Sequence, residues 1–239
     1  MADQSMEVTL PWPELVKGVL IKRYKRFLAD VEIEGQGIIT AHTANTGSML
    51  DCCESGRMVY LSLSQNPKRK YPYGWEMIEM PDGLVGVNTA LPNKLSYLAL
   101  ERGALAEFSK PLKVERERKF GLSRLDLKLT LEGGQEVWIE VKNATLVRSG
   151  VALFPDAVSQ RGARHLGELM ALVRAGKRAA LLVMVQRSGA ESFSPADFID
   201  PAWGQALRQA QERGVEIIAR VVDLSLKEAK LGRALEVRL

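Results

Sequence analysis

The sequence predicts an α+β protein in two parts: a small β-barrel of the oligonucleotide-binding type over residues 1–90, then an α/β domain over residues 91–239. Three observations predict it. Short apolar runs recur between residues 29 and 88, parted by turn signals and free of helical period. Beyond residue 93, helical patterns alternate with strand-length apolar runs. Within that second part, a glycine pair at 133–134 separates two alternating runs, the pattern of a β-hairpin.

Composition sets the frame. Hydrophobic residues make up 46% of the 239 and charged residues 26%, a balance that allows a buried core. No apolar run is long enough to cross a bilayer, and the acidic opening MADQSMEVTLPWPELV lacks the order of a signal peptide. The expectation is a cytoplasmic protein with no membrane partner. Cys52 and Cys53 are neighbours and read as reduced thiols, and two histidines, His42 and His165, argue against a zinc site.

In the first part, strands are expected at 29–33, 37–43, 57–64, 75–80 and 84–88. Two basic clusters accompany them. Residues 16–28 carry Lys17, Lys22, Arg23, Lys25 and Arg26 among apolar neighbours and without an acid. Lys68, Arg69 and Lys70 run directly into Tyr71, Tyr73 and Trp75. Cations interleaved with rings suit a single-stranded nucleic acid, phosphates meeting the charges and bases stacking on the rings. The alternative is a solvated loop whose aromatics turn inward to cap the barrel. The turn at 45–48 offers backbone donors to an anion.

In the second part, 93–108 is the first helical stretch, with Asn93 placed to cap it. The run KPLKVERERKFG reads as an exposed charged segment, with Glu115 and Glu117 ahead of the hairpin. An amphipathic helix is expected over 157–175, with Val158, Leu166, Leu169, Met170 and Val173 on its apolar side. A buried central strand at 179–185, a helix at 198–214 and a strand at 215–222 follow, and the tail is mixed.

The hairpin carries the chemistry. Asp126 lies on its first strand, and Glu140 and Lys142, two apart, share a face of the second. An acid, an acid and a lysine beside a sheet can bind Mg²⁺ and cut a phosphodiester. The acid-x-lysine triplet alone says little, since it also occurs at Glu117–Lys119, Asp126–Lys128 and Glu228–Lys230. Register decides whether the acids meet. A two-residue turn would set Asp126 opposite Val141, on the wrong face; a three-residue turn at 132–134, or a bulge, sets both acids on one face.

Eight strings carry a family signal: RYKRFLADV (23–31), NTGSM (45–49), KRKYPYGWE (68–76), VNT (87–89), SRLDL (123–127), IEVKNATL (139–146), FPDAVSQRG (154–162) and HLGEL (165–169). Together they resemble the sugar fermentation stimulation protein A (SfsA) family over nearly the full chain. The resemblance implies an OB-like β-barrel joined to a PD-(D/E)xK nuclease-like domain, restriction-endonuclease-like in type. It also implies largely sequence-nonspecific DNA binding and a regulatory role in sugar, especially maltose, metabolism.

The nuclease pattern falls on Asp126, Glu140 and Lys142 as catalytic residues. Asp126, Glu140 and the Val141 carbonyl would hold Mg²⁺ (or Mn²⁺), and Lys142 would orient the attacking water. Leu125 stands where the pattern has proline; Pro155-Asp156 spells that pair but follows the lysine. The further carboxylate of such nucleases falls to Glu101 or Glu117, and Gln160, Arg161 and His165 either touch phosphate or brace the sheet. Two functions follow: a DNA-binding protein, or a Mg-dependent nuclease acting on DNA or RNA.

Overall fold

Alternating burial along the strands closes the first part into a barrel. The structure, a computed structural model, describes residues 7–108, 110–121 and 123–239. After β1 (Thr9–Pro11) come β2 (Leu15–Tyr24), β3 (Leu28–Ile33), β4 (Gly37–His42), β5 (Met58–Leu63), β6 (Tyr73–Met80) and β7 (Gly83–Gly86). They pair in the order β4-β3-β2-β5-β6-β7, and a parallel bridge between His42 and Gly74 joins β4 to β6. That bridge closes the sheet on itself, so the ends of the β4–β6 circuit present little open edge. Leu20, Val31, Val59, Leu61, Trp75 and Ile78 fill the interior. Gly18 permits the tight crossing of β2 and β3, since a Cβ there would lie 2.5 Å from Val31.

The second part contains α1 (Ala90–Glu101), β8 (Lys113–Phe120), β9 (Ser123–Thr130), β10 (Glu136–Ala144), β11 (Leu146–Arg148) and β12 (Val151–Phe154). It continues through α2 (Gln160–Arg174), β13 (Arg178–Val185), β14 (Ser192–Pro195), α3 (Pro201–Glu212), β15 (Glu216–Leu224) and β16 (Glu228–Val237). Its sheet runs β11-β12-β14-β16-β15-β13-β10-β9-β8. On one face, α2 and α3 pack through Leu166, Leu169, Trp203 and Leu207. On the other, α1 sets Leu91 and Leu95 against Leu127, Ile139 and Leu182. β13, buried along nearly its whole length, is the central strand that its continuous apolar run implies.

Several expectations change here. The charged run before the hairpin is strand β8, whose Glu115 is paired across the sheet with Lys128; charge on both faces hides its alternation. The tail forms β16, and β1 pairs with it, so the N-terminal strand joins the second sheet. α1 starts at Ala90, which places Asn93 inside the helix rather than at its cap. Ser159 caps α2 by accepting from Gly162 N at 3.0 Å, leaving Val158 outside the helix and exposed. Asp200 caps α3 in the same way through Trp203 N, 3.0 Å away. Cys52 and Cys53 are free thiols, and burial pushes Cys52 up to about 12. Among the described residues, no helix is long and apolar enough to cross a membrane.

Candidate active site

The turn between β9 and β10 settles the register. Glu132–Gly134 form a three-residue turn closed by Leu131 N donating to Gln135 O at 2.8 Å, with Gly133 and Gly134 at φ of 75° and 79°. Leu127 then faces Ile139, and the same register carries Asp126 towards Glu140. The ladder stops at that pair. Beyond it, Asp126 Oδ2 accepts from Val141 N at 2.8 Å, and Asn93 Nδ2 donates to Oδ1 at 2.9 Å.

Glu140 is 2% exposed. Its Oε1 receives Lys142 Nζ at 2.5 Å and also His165 Nδ1. Arg161 Nε donates to His165 Nε2 at 3.4 Å, which leaves Nδ1 to carry the proton facing Glu140. The other oxygen, Glu140 Oε2, is buried with no hydrogen-bond partner. Burial works to raise the Glu140 pKa, but the His165 hydrogen bond and the Lys142 charge outweigh it and hold the carboxyl below its ordinary value. Asp126 goes the other way: burial first, then the Glu140 charge, raises it to about 6.

These residues fit a hard divalent cation. An unpartnered buried carboxylate oxygen is an acceptor waiting for a donor or a metal. Asp126 and the Val141 carbonyl stand beside it, giving an all-oxygen set of the kind Mg²⁺ takes while keeping several waters. Among the described residues, no group of three His, Cys, Asp or Glu side chains forms a closed cage. The set therefore suits Mg²⁺ or Mn²⁺ sharing its shell with water and phosphate, and not a structural zinc.

Two cavities flank the site. One, of about 450 Å³, lies between the two parts of the chain, with Val141, Lys142 and Gln160 on one wall and Arg26, Thr46 and Gly47 on the other. The second, of about 410 Å³, holds Asp126, His165, Glu117, Arg124 and Arg164. Arg161 borders both. The Asp126–Glu140–Lys142 group thus sits on the ridge between two openings rich in arginine.

The expected nucleic-acid residues divide. Lys25 and Arg26 are exposed on the turn after β2, and Lys68, Arg69 and Lys70 are exposed on the loop before β6. Tyr71 lies under Lys70, whose Nζ is 5.4 Å from the ring centroid, and the Tyr73 hydroxyl donates to Gln36 Oε1. Three residues are corrected. Trp75 is 1% exposed and donates to Met77 O, so it packs the barrel instead of offering a face to bases. Arg23 turns inward, its guanidinium donating to the carbonyls of Arg26, Asn45, Gly47 and Ser48. Lys22 remains exposed but is paired with Asp30 at 3.7 Å.

The anion met by the 45–48 turn is internal. Asp156 Oδ2 accepts from Met49 N at 2.8 Å and from Ser48 Oγ at 3.1 Å, fastening the barrel to the second part. Glu117 lies on strand β8, not on a helix, at a φ of 52°, between the pairs Arg116–Leu127 and Arg118–Leu125. Glu101 ends α1 and accepts from the Tyr97 hydroxyl. Sequence reasoning missed Asn93, Arg124 and Arg164. Asn93 looks like a cap, and no spacing rule ties a helix asparagine to a strand acid.

Comparison with known proteins agrees with this architecture. The model of the "Sugar fermentation stimulation protein RE domain" matches residues 90–228, and that of the "SfsA N-terminal OB domain" matches residues 21–87. A sugar fermentation stimulation protein homolog of Geobacter sp. (strain M21) is 49% identical over 231 residues, 96% of this chain and 99% of that protein. Another, of Thioalkalivibrio sulfidiphilus, is 45% identical over 91% of this chain and 98% of its own length. The solved structure of Pyrococcus furiosus SfsA in complex with Ca²⁺ superposes with a TM-score of 0.89 at 29% identity, covering 98% of this chain and 100% of that one. With both parts matched by family models and relatives nearly half identical along almost its whole length, this chain belongs to the SfsA family.

Proposed function

We propose that this protein binds DNA without marked sequence preference and hydrolyses its phosphodiester bonds with the aid of a divalent cation held by Asp126, Glu140 and the Val141 carbonyl. One observation carries the reading: Glu140 Oε2 is buried and unpartnered beside a second carboxylate, in a site open to two cationic cavities. Two acids facing a polyanion repel it unless a cation lies between them. The Ca²⁺ complex of the Pyrococcus furiosus relative supports the choice of a hard, oxygen-seeking ion.

When bound, such a cation polarises the phosphate and lowers the pKa of water. The remaining work falls to the chain. Lys142 orients the attacking water and offsets the charge that grows on the phosphate oxygens. His165 fixes Oε1 and so turns Oε2 away from its own proton. Arg161 braces His165 and lies where it can bind a phosphate from either cavity. Asn93 holds Asp126 in place.

A second reading keeps DNA binding but no cleavage, in a regulatory role. It draws on the Lys142–Glu140 ion pair, which spends both groups on each other. Incubation with labelled single-stranded, duplex and branched DNA, in Mg²⁺, Mn²⁺ or EDTA, separates the two. Metal-dependent cleavage lost in Lys142→Ala supports hydrolysis. Binding without cleavage of any substrate in either metal sinks it and leaves the second reading.

A further inference from the structure

The two basic clusters of the barrel, distant in sequence, meet around one histidine. The His42 ring lies 6.3 Å from that of Phe27, with the planes tilted by 41°. Arg69 Nη2 is 3.3 Å from His42 Nδ1. Phe27 itself is 44% exposed, directly after Lys25 and Arg26. Those two cations both have positive φ, 49° and 64°, a conformation that side-chain-bearing residues rarely adopt in succession. A strained turn that presents two cations and an open phenyl ring calls for a ligand.

The platform runs on towards the active site. Arg23 ties the carbonyl of Arg26 to those of Asn45 and Gly47, so the turn bearing Phe27 is fastened to the loop that walls the cleft. Arg26 lines that cleft, and Lys142 lies on its opposite wall. Asp156, an acid that borders it, has its carboxylate occupied by Ser48 and Met49. The cleft's volume of about 450 Å³ is that of a small-ligand pocket and excludes a duplex.

We infer that single-stranded DNA binds along this line: a base stacks on Phe27 and His42, its phosphates meet Lys25, Arg26 and Arg69, and the strand passes through the cleft to Lys142. This deepens the proposed function by naming its substrate as a single strand or single-stranded arm. It rests on that reading for cleavage, while the binding track stands by itself.

Fluorescence anisotropy in EDTA tests it, with a labelled oligothymidine, the same length of duplex DNA and the matching RNA. The single DNA strand should bind at least about ten-fold more tightly than the duplex, and Phe27→Ala should weaken it roughly ten-fold, the worth of one base–aromatic stack. Phe27→Trp, folded and with a quenchable indole, should keep the affinity and lose fluorescence on binding. Equal affinity for duplex, tighter binding of the RNA, or a Phe27→Ala protein that binds as well as the wild type overturns the inference. Absence of cleavage with the single-strand preference intact refutes the proposed hydrolysis and leaves the track. Cleavage of duplex interiors without that preference does the reverse.

Discussion

The Asp126 carboxylate accepts the Val141 amide at 2.8 Å, taking the place of a ladder bond that β9 no longer supplies. The same carboxylate is needed at the candidate metal site. Sheet integrity and site charge therefore share one side chain.

Asp126 should make the protein less stable at neutral pH than it would otherwise be. Its carboxyl is raised to about 6, by burial and then by Glu140. An acid raised on folding carries no penalty below its unfolded pKa of about 4 and the full penalty above about pH 6. Asp126→Asn, whose amide oxygen can still accept from Val141, should gain on the order of 2–3 kcal/mol at neutral pH without metal. The gain should vanish below about pH 4 in urea unfolding. A gain independent of pH would contradict this assignment.

Divalent cations should raise the thermal midpoint of the wild type. At a hundredfold excess over Kd the stabilisation is about 2.7 kcal/mol. Glu140→Gln should lose most of it in the same melting experiment. The cation's effect should grow as pH rises through about 6, where Asp126 gives up its proton.

If the protein hydrolyses DNA, Lys142→Ala should cut the rate by roughly 10²-fold or more, as loss of a charge-stabilising group commonly does. Binding of single-stranded DNA in EDTA should change little by comparison. Single-turnover cleavage beside anisotropy reads the two effects separately.

The two basic clusters should respond differently. Arg23→Ala removes a guanidinium shared by four carbonyls and should destabilise the barrel by about 2–3 kcal/mol. Neutralising Lys68, Arg69 and Lys70 together should leave the melting temperature nearly unchanged. It should lower the salt slope of single-strand binding by about 2. Urea unfolding and a salt titration check the pair of outcomes.

Much of this arrangement was legible in the residues. Period-2 alternation and the glycine pair identified the hairpin, and the need for a three-residue turn followed from asking where Asp126 must point. What lay hidden was hidden for physical reasons. β8 alternates charge with charge, so its strand character appears only once Lys128 pairs with Glu115 across the sheet. Trp75 sits in a basic, aromatic string yet belongs to the core, because alternation along β6 turns it inward. Arg23 looks like its basic neighbours, and only the folded 45–48 loop supplies the carbonyls that claim it. Asn93 reaches Asp126 from a helix far away in sequence, a contact that no local pattern encodes.

β1 pairs with β16, Thr9 facing Lys230, so in topological terms the barrel is an insert within a domain whose first strand precedes it. During synthesis that strand must wait for the last one to leave the ribosome. The barrel emerges in the interval and can complete its own hydrogen bonding through the His42–Gly74 bridge. Closing early leaves little free edge for neighbouring nascent chains to join, just when the rest of the molecule is still unpaired.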